Sequence, residues 1–422
     1  MASPGGVRVN YAACTIVSPN YFAYARTLAA SYLMQHPGHR FYVLIVADLA
    51  DSGPFSGDVF TPVMLGEIGL ADVRAEAMKY DILELNTNVK PSFMKHLLAR
   101  FGLDVLVYLD PDIFVYAPLT PVFAALERGA AVVLTPHMTM PVFDGKIPGE
   151  QEMLYNGTYN LGFVGVGKGP ESQRLLDWWE RRCLDLGYSE GRTGLFVDQK
   201  WMNLAPGLFE NVAILRDAGL NMAYWNLHER GLVETSDGYM VQNGAGGDVP
   251  LRFFHFSGVV VGDPGMLSKN TDRFTLADRP DLRMLFDAYK AVVLANKLPA
   301  VEALNYGYGA FTDGTTVTRL ARRIYAKHAA RWAGQDPFDS RGEFARFAVD
   351  LKLVQGTIAP RKETWSDFKD TDRRVEAVHF LLKLALRLLG PHRYELLMRY
   401  LAHIAVLRNQ SVFLGNETEK PR

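Results

Sequence analysis

Largely apolar runs of five to nine residues punctuate the first part of the chain, separated by stretches whose apolar positions recur every three or four residues. Tyr11–Val17 predicts a buried strand, and Tyr21–Met34 follows with helical spacing. Arg40–Asp48 reads as an apolar strand ending on an acid. Further strand-like runs fall at Val59–Leu65, Asp81–Leu85, Val105–Leu109, Ile113–Tyr116 and Ala130–Thr135, with helical patterns over Pro91–Arg100 and Pro121–Arg128 between them. This alternation predicts an α/β fold, a mixed central sheet with right-handed crossovers and helices on its faces.

The rhythm breaks at His137–Thr158, where Pro141, Gly145, Pro148, Gly149 and Gly157 predict a long loop, a feature usually tied to function in a compact domain. A strand over Leu161–Val166 and a helix from about Glu171 to Leu186 resume it, with Leu175, Leu176, Trp179 and Cys183 on the core-facing side. Helical patterns dominate beyond Asp272, so a domain of residues 1–275 is expected to precede a mainly helical extension of residues 276–422. That extension ends in two Leu-rich segments, Val375–Leu389 and His392–Arg408, broken at Gly390-Pro391, and in a polar tail at Asn416–Arg422. Arg373, Arg374, Lys383, Arg387, Arg393, Arg399 and Arg408 make this end basic. It suits packing on the body, a subunit contact, or peripheral contact with an anionic membrane.

Composition narrows the classes. With 48% apolar residues and a net charge of -1, the chain is an ordinary globular protein with no sign of nucleic-acid binding through bulk charge. Two cysteines, Cys14 and Cys183, in apolar surroundings argue against a disulfide framework or a cysteine zinc site. The first residues lack the apolar core of a secretory signal, and no uncharged run is long enough to span a bilayer. A cytoplasmic protein is expected, with the basic end available to the inner face of a membrane.

The most informative stretch is Asp110-Pro111-Asp112, directly after the run Val105–Leu109. Proline halts the strand, which leaves two carboxylates at the carboxyl edge of a sheet, where ligands bind in open α/β folds. A divalent cation would relieve their repulsion and could neutralise a diphosphate. A solvated surface turn is the plain alternative.

Other segments fall into order around it: Thr15-Ile-Val-Ser-Pro-Asn-Tyr21, Lys90-Pro-Ser-Phe-Met-Lys95, Asn160-Leu-Gly162, Asp198-Gln199, Asn226-Leu-His228, His255-Phe-Ser-Gly258 and Lys269-Asn270. The set resembles GT-A fold nucleotide-sugar glycosyltransferases, closest to glycosyltransferase family 8 and related bacterial polysaccharide glycosyltransferases, over roughly residues 9–275. The resemblance implies a hexosyltransferase using a UDP-hexose, with a glycan, lipid or protein as acceptor. It implies Asp110, Asp112 and His255 as ligands of Mn²⁺ or Mg²⁺, and Asp110 and Lys269 toward the diphosphate. Thr15, Val17 and Tyr21 would meet the base, and Lys95 the donor phosphate or sugar. Asn160, Gly162, Asp198 and Gln199 would surround the donor sugar, and by resemblance Asp198-Gln199 favours retention, with Asp198 as the base of an inverting reaction the alternative. Lys269 departs from the family pattern, since it stands later than the usual His-x-x-Gly-x-x-Lys and lacks the following Pro-Trp. Trp225–His228 and His137–Thr158 are the expected acceptor surface. Two other readings stay open: a nucleotidyltransferase, disfavoured because Thr15–Tyr21 contains no glycine, and a non-catalytic nucleotide-binding scaffold.

Overall fold

In a computed structural model, which describes residues 9–49, 52–243, 247–356 and 373–410, the first ten strands are β1 (Tyr11–Val17), β2 (Arg40–Ile45), β3 (Thr61–Met64), β4 (Val105–Leu109), β5 (Ile113–Val115), β6 (Val132–Leu134), β7 (Phe163–Gly167), β8 (Ser189–Glu190), β9 (Leu195–Phe196) and β10 (Val212–Ile214). Seven of them form one sheet in the order β10-β6-β7-β4-β1-β2-β3. All neighbours run parallel except β7, which is antiparallel to both β4 and β6. The first ten α-helices in chain order are α1 (Phe22–Gln35), α2 (Val73–Lys79), α3 (Ile82–Asn88), α4 (Lys90–Phe101), α5 (Thr120–Glu127), α6 (Glu150–Asn156), α7 (Pro170–Leu186), α8 (Ala205–Leu208), α9 (Arg283–Ala295) and α10 (Pro299–Glu302).

β4 shows why the sheet needs helices on both faces. All five of its residues are buried. Val105, Val107 and Leu109 join a core with Phe22, Ala25 and Leu28 of α1 and Val122 and Leu126 of α5. Tyr108 points the other way, beneath Lys90 of α4, as the two-residue period of a strand requires. The expected mixed sheet flanked by helices is therefore the fold observed.

Three local expectations change. Asp81–Leu85 is not a strand: Ile82–Asn88 is helix α3, which buries Glu84, Leu85 and Asn88 and leaves Ile82 and Leu83 exposed. A short apolar run does not by its periodicity distinguish strand from helix, and here the buried set has helical spacing. The long loop contains a short helix, α6. Beyond it lies an antiparallel sheet the apolar pattern did not announce, β11 (Gly231–Thr235), β12 (Gly238–Gln242) and β13 (Val249–Pro250), followed by β14 (Phe253–His255), which pairs antiparallel with β5.

The described residues fall into two compact units. The first comprises those up to Val73 together with Ile82–Gly307. Leu276 and the α9 residues Leu285, Phe286, Tyr289 and Val293 lie within it, in one core with Phe254 and Phe256. The second comprises Arg74–Asp81 and the described residues from Tyr308 onward, including β15 (Thr316–Val317), β16 (Val354–Gln355), α11 (Arg319–Lys327), α12 (Glu343–Asp350) and α13 (Arg373–Ala405). Thr318 caps α11 by accepting from the Ala321 N–H, and the buried Arg322 guanidinium donates to the carbonyls of Ala77 and Tyr308. α13 breaks at Gly390, whose φ of 73° precedes Pro391, where the two Leu-rich segments were expected to part. Among the described residues no helix is long and apolar enough to cross a membrane. The polar tail Asn416–Arg422 lies outside them.

Candidate metal centre and cleft

Where β4 ends, three chain segments converge. The Asp110 N–H donates to the Gly162 carbonyl at 2.7 Å and its carbonyl accepts from Ile113 at 3.0 Å, which closes the Asp-Pro-Asp turn. The register of β14 on β5 sets His255 opposite Ile113, and the Phe256 N–H donates to the Asp112 carbonyl at 2.8 Å. These backbone bonds bring one donor atom each of Asp110, Asp112 and His255 within 4.8 Å of one another.

Glycine at 162 is what permits this approach. A Cβ there would stand 2.8 Å from both Asp110 Oδ2 and Asn160 Oδ1, and closer still to His255 Cε1. His255 Nε2 lies 3.0 Å from Asp112 Oδ1 and 3.8 Å from Asp110 Oδ2. Burial alone would depress this imidazole, but Asp112 and then Asp110 outweigh it and hold it above its ordinary value. Asp110 Oδ1 accepts from the Tyr108 hydroxyl at 2.7 Å. That phenol is raised well above its ordinary value, by burial first and by Asp110 next, so it stays a donor. Two partly exposed carboxylates and one buried imidazole, aimed at a common point, fit a divalent cation as oxygen and nitrogen ligands.

The centre opens onto a cleft of about 470 Å³. Val17 and Tyr21 line one part of it, and Asn160, Gly162, Asp198, Gln199 and Lys90 also face it. Tyr21 keeps 45% of its surface exposed. Its hydroxyl is raised by burial and by Asp112. Asp198 is almost fully buried and its Oδ2 lies 2.6 Å from Lys90 Nζ. The same ammonium donates to the Leu161 carbonyl at 2.7 Å and sits 4.1 Å over the Tyr108 ring. Burial pushes the Asp198 carboxyl above its ordinary range in spite of Lys90. Gln199 accepts from the Leu161 N–H and donates to the Asn156 carbonyl, both at 3.0 Å. Val197, just before Asp198, adopts a φ of 40°, an unusual and strained value for a β-branched residue.

Four expected contacts lie elsewhere. Lys95 reaches α7 and pairs with Asp177 at 2.7 Å and with Glu180, and it does not line the cleft. Lys269 is exposed and is likewise absent from the lining, with its N–H donating to the Gly258 carbonyl. Thr15, expected to offer its backbone to the base, has a side chain buried inside β1 and is absent from the lining. Asn226 has no exposed surface: its Oδ1 accepts from Ala223 and its Nδ2 donates to the carbonyls of His137 and Asn221. It clamps a turn and cannot present its amide to an acceptor.

Lys90 is the residue that sequence reasoning passed over. The signal was available: Lys90, Phe93, Met94 and Leu97 fall on one helical stripe, so a cation stood on the buried face of α4, while Lys95 stood off it.

No protein-family model matches the chain. Two curated relatives come from Bacillus subtilis (strain 168), and both are described as uncharacterized. YfnF is 28% identical over 172 residues, 40% of this chain and 55% of its own length, so the match spans about half of that relative. YfnD is 25% identical over 235 residues, 54% of this chain and 68% of its own. Among solved structures, the galactosyltransferase LgtC in complex with donor and acceptor sugar analogs is 15% identical, with a TM-score of 0.40, covering 68% of this chain and 97% of that one. A glycosyltransferase involved in glycosylation of the major capsid of PBCV-1 is 10% identical, with a TM-score of 0.32, covering 51% and 85%. Similarity at this level assigns no activity to the present chain.

Proposed function

We propose that this protein is a metal-dependent glycosyltransferase of the GT-A type, moving a hexose from a nucleoside diphosphate donor to an acceptor hydroxyl. The observation that carries the reading is the Asp110, Asp112 and His255 group at the carboxyl edge of β4, set beside a cleft of about 470 Å³. Such a volume suits a nucleotide sugar. UDP is the preferred donor nucleotide through the family 8 resemblance alone, with the Tyr21 ring face available to its base, and mixed carboxylate and imidazole ligation favours Mn²⁺ over Mg²⁺. A cation held there would neutralise charge on the departing diphosphate.

The chain's own groups supply position and charge. Asp198, Gln199, Gly162 and Lys90 would surround the sugar, with Lys90 replacing Lys95 as the cation nearest to it. Among the described residues, the acids lining the cleft are Asp110, Asp112 and Asp198. The first two face His255 and the third faces Lys90, so none stands free as a base behind an anomeric carbon. This supports retention by front-face attack. The bond from the anomeric carbon to the phosphate oxygen breaks, its electron pair leaves with the nucleoside diphosphate, and the acceptor oxygen bonds to the carbon as its proton passes to the departing oxygen.

The acceptor would be a glycan, lipid or protein in surface polysaccharide synthesis. Residues 375–408, with Phe380, Leu381 and Leu388 exposed beside basic residues, would serve a membrane or subunit contact. Calorimetric titration with UDP, GDP and TDP, with and without Mn²⁺, tests the reading. Manganese-dependent binding of UDP is expected, and absence of nucleotide binding under every condition would put the scaffold reading ahead.

A further inference from the structure

Asn160 touches the metal centre through His255 and Gly162, and both ends of its amide are engaged. It is 8% exposed, and its Oδ1 takes the Gly162 N–H at 3.2 Å and the Asn221 side-chain amide at 3.2 Å. The backbone N–H of Gly162 can only donate, so the atom facing it is the oxygen, and the orientation of the amide is fixed. That same oxygen lies 3.2 Å from His255 Nδ1.

The far end of the amide is fixed as well. Asn160 Nδ2 lies 3.3 Å from His137 Nε2, and His137 Nδ1 lies 3.2 Å from the Thr158 carbonyl. A carbonyl only accepts, so His137 carries its proton on Nδ1 and presents a lone pair at Nε2 to the amide N–H. Burial depresses this imidazole to about 4, which keeps it neutral near pH 7. Each partner in the row from Thr158 to His255 thus has one role only.

We propose that Asn160 is a positioning residue that holds the proton of His255 on Nδ1, leaving Nε2 as the lone pair that faces the cation point between Asp110 and Asp112. The competing arrangement is a proton on Nε2 donated to Asp112 Oδ1, 3.0 Å away, which would close the centre to a metal. An acceptor at Nδ1 opposes that arrangement, because a cation at Nε2 would release the Nε2 proton to solvent while the Nδ1 proton would keep its partner. Second-sphere acceptors of this kind raise metal affinity by about tenfold to a hundredfold. This inference rests on the metal centre of the proposed function, but not on sugar transfer, and it differs from contact between Asn160 and a donor sugar.

The test uses the full chain, Mn²⁺ alone and no nucleotide. Free Mn²⁺ is followed by electron paramagnetic resonance for the unaltered chain, Asn160→Leu and Asn160→Asp. Leucine removes the acceptor, and affinity should fall about tenfold or more. Aspartate keeps an oxygen opposite Nδ1, and affinity should stay within about threefold of the unaltered chain or rise. A role in holding sugar through the amide N–H would instead leave metal affinity untouched in both variants. In the Co²⁺-loaded chain, an exchangeable, hyperfine-shifted imidazole N–H is expected in the unaltered protein and the aspartate variant, and lost in the leucine variant. Circular dichroism confirms folding, and a leucine variant that unfolds leaves the Co²⁺ spectrum of the unaltered chain and the aspartate variant to decide: no such N–H in either overturns the proposal. Equal Mn²⁺ affinity for all three overturns it while sparing the metal centre. No Mn²⁺ uptake by the unaltered chain overturns the centre and this inference together.

Discussion

Two charged groups face the same cleft and solve opposite problems. At the end of β4, Asp110 and Asp112 keep 31% and 23% of their side-chain surface exposed and share one imidazole. Under α4, Lys90 and Asp198 are each 2% exposed and 2.6 Å apart, a closed pair with matched charge. The first group carries more negative charge than its neighbours neutralise. The second sets one cation against one anion, although burial still pushes the Asp198 carboxyl up. A cleft that receives a cation and an anionic ligand needs the first kind of imbalance, and a floor that stays put when they leave needs the second kind of closure.

Breaking the open group should hurt function far more than folding. Asp112→Asn removes a charge and a ligand from a partly exposed turn, so stability should change by less than about 1 kcal/mol while transfer falls by about a hundredfold or more. Radiolabelled donor turnover and thermal unfolding read the two effects separately. Full transfer with Asp112→Asn would remove the metal from the reaction. Gly162→Ala attacks the same centre without altering a ligand, since its Cβ would crowd Asp110, Asn160 and His255. It should reduce Mn²⁺ affinity by at least about tenfold.

Breaking the closed group should cost folding as well as function. Lys90→Met leaves Asp198 buried without its partner, at a cost of about 3–5 kcal/mol, seen as a large fall in the denaturant midpoint. Pairing it with Asp198→Leu should recover most of that loss, because an apolar pair of similar volume needs no neutralisation. The double variant separates the two roles of the pair. Restored stability with transfer still absent would place the charges in donor binding. Restored stability together with transfer would leave Lys90 and Asp198 as a structural strut.

How much of this was legible in the sequence follows from how local each feature is. The run Val105–Leu109 before Asp110-Pro-Asp112 could be read directly, since a fully buried strand needs an apolar residue at every position. β11 to β13 were not, because in their paired strands only Leu232 and Val241 are buried, too few to leave an alternating signature. α3 misled because its apolar pair Ile82-Leu83 faces outward while Glu84 and Asn88 face in. The acid turn, His255 and Gly162 could be named as candidates from the sequence. The role of Asn160 could not: His255 and Asn221 are 95 and 61 positions away, and only the fold brings them to its amide. Asn226 looked like an acceptor contact and is a buried turn clamp for the same reason.

The smallest effect sharpens the contrast within one helix. Lys95 stands five residues after Lys90 on α4, yet it meets Asp177 and Glu180 on α7 with 26% of its side chain exposed. Those bonds raise the pull on its proton above the ordinary lysine value, although burial opposes them. Partly exposed pairs of this kind contribute about 0.2–1 kcal/mol each, screened by salt. Lys95→Ala should therefore lower stability by about 1 kcal/mol or less, with the loss shrinking at high salt, and leave donor affinity within about twofold. Calorimetry with nucleotide, repeated at low and high salt, measures both. A large drop in donor affinity at unchanged stability would return Lys95 to the donor and show that the pairing with α7 gives way when ligand binds. Unchanged affinity would leave Lys90, on the buried stripe of the same helix, as the cation the cleft uses.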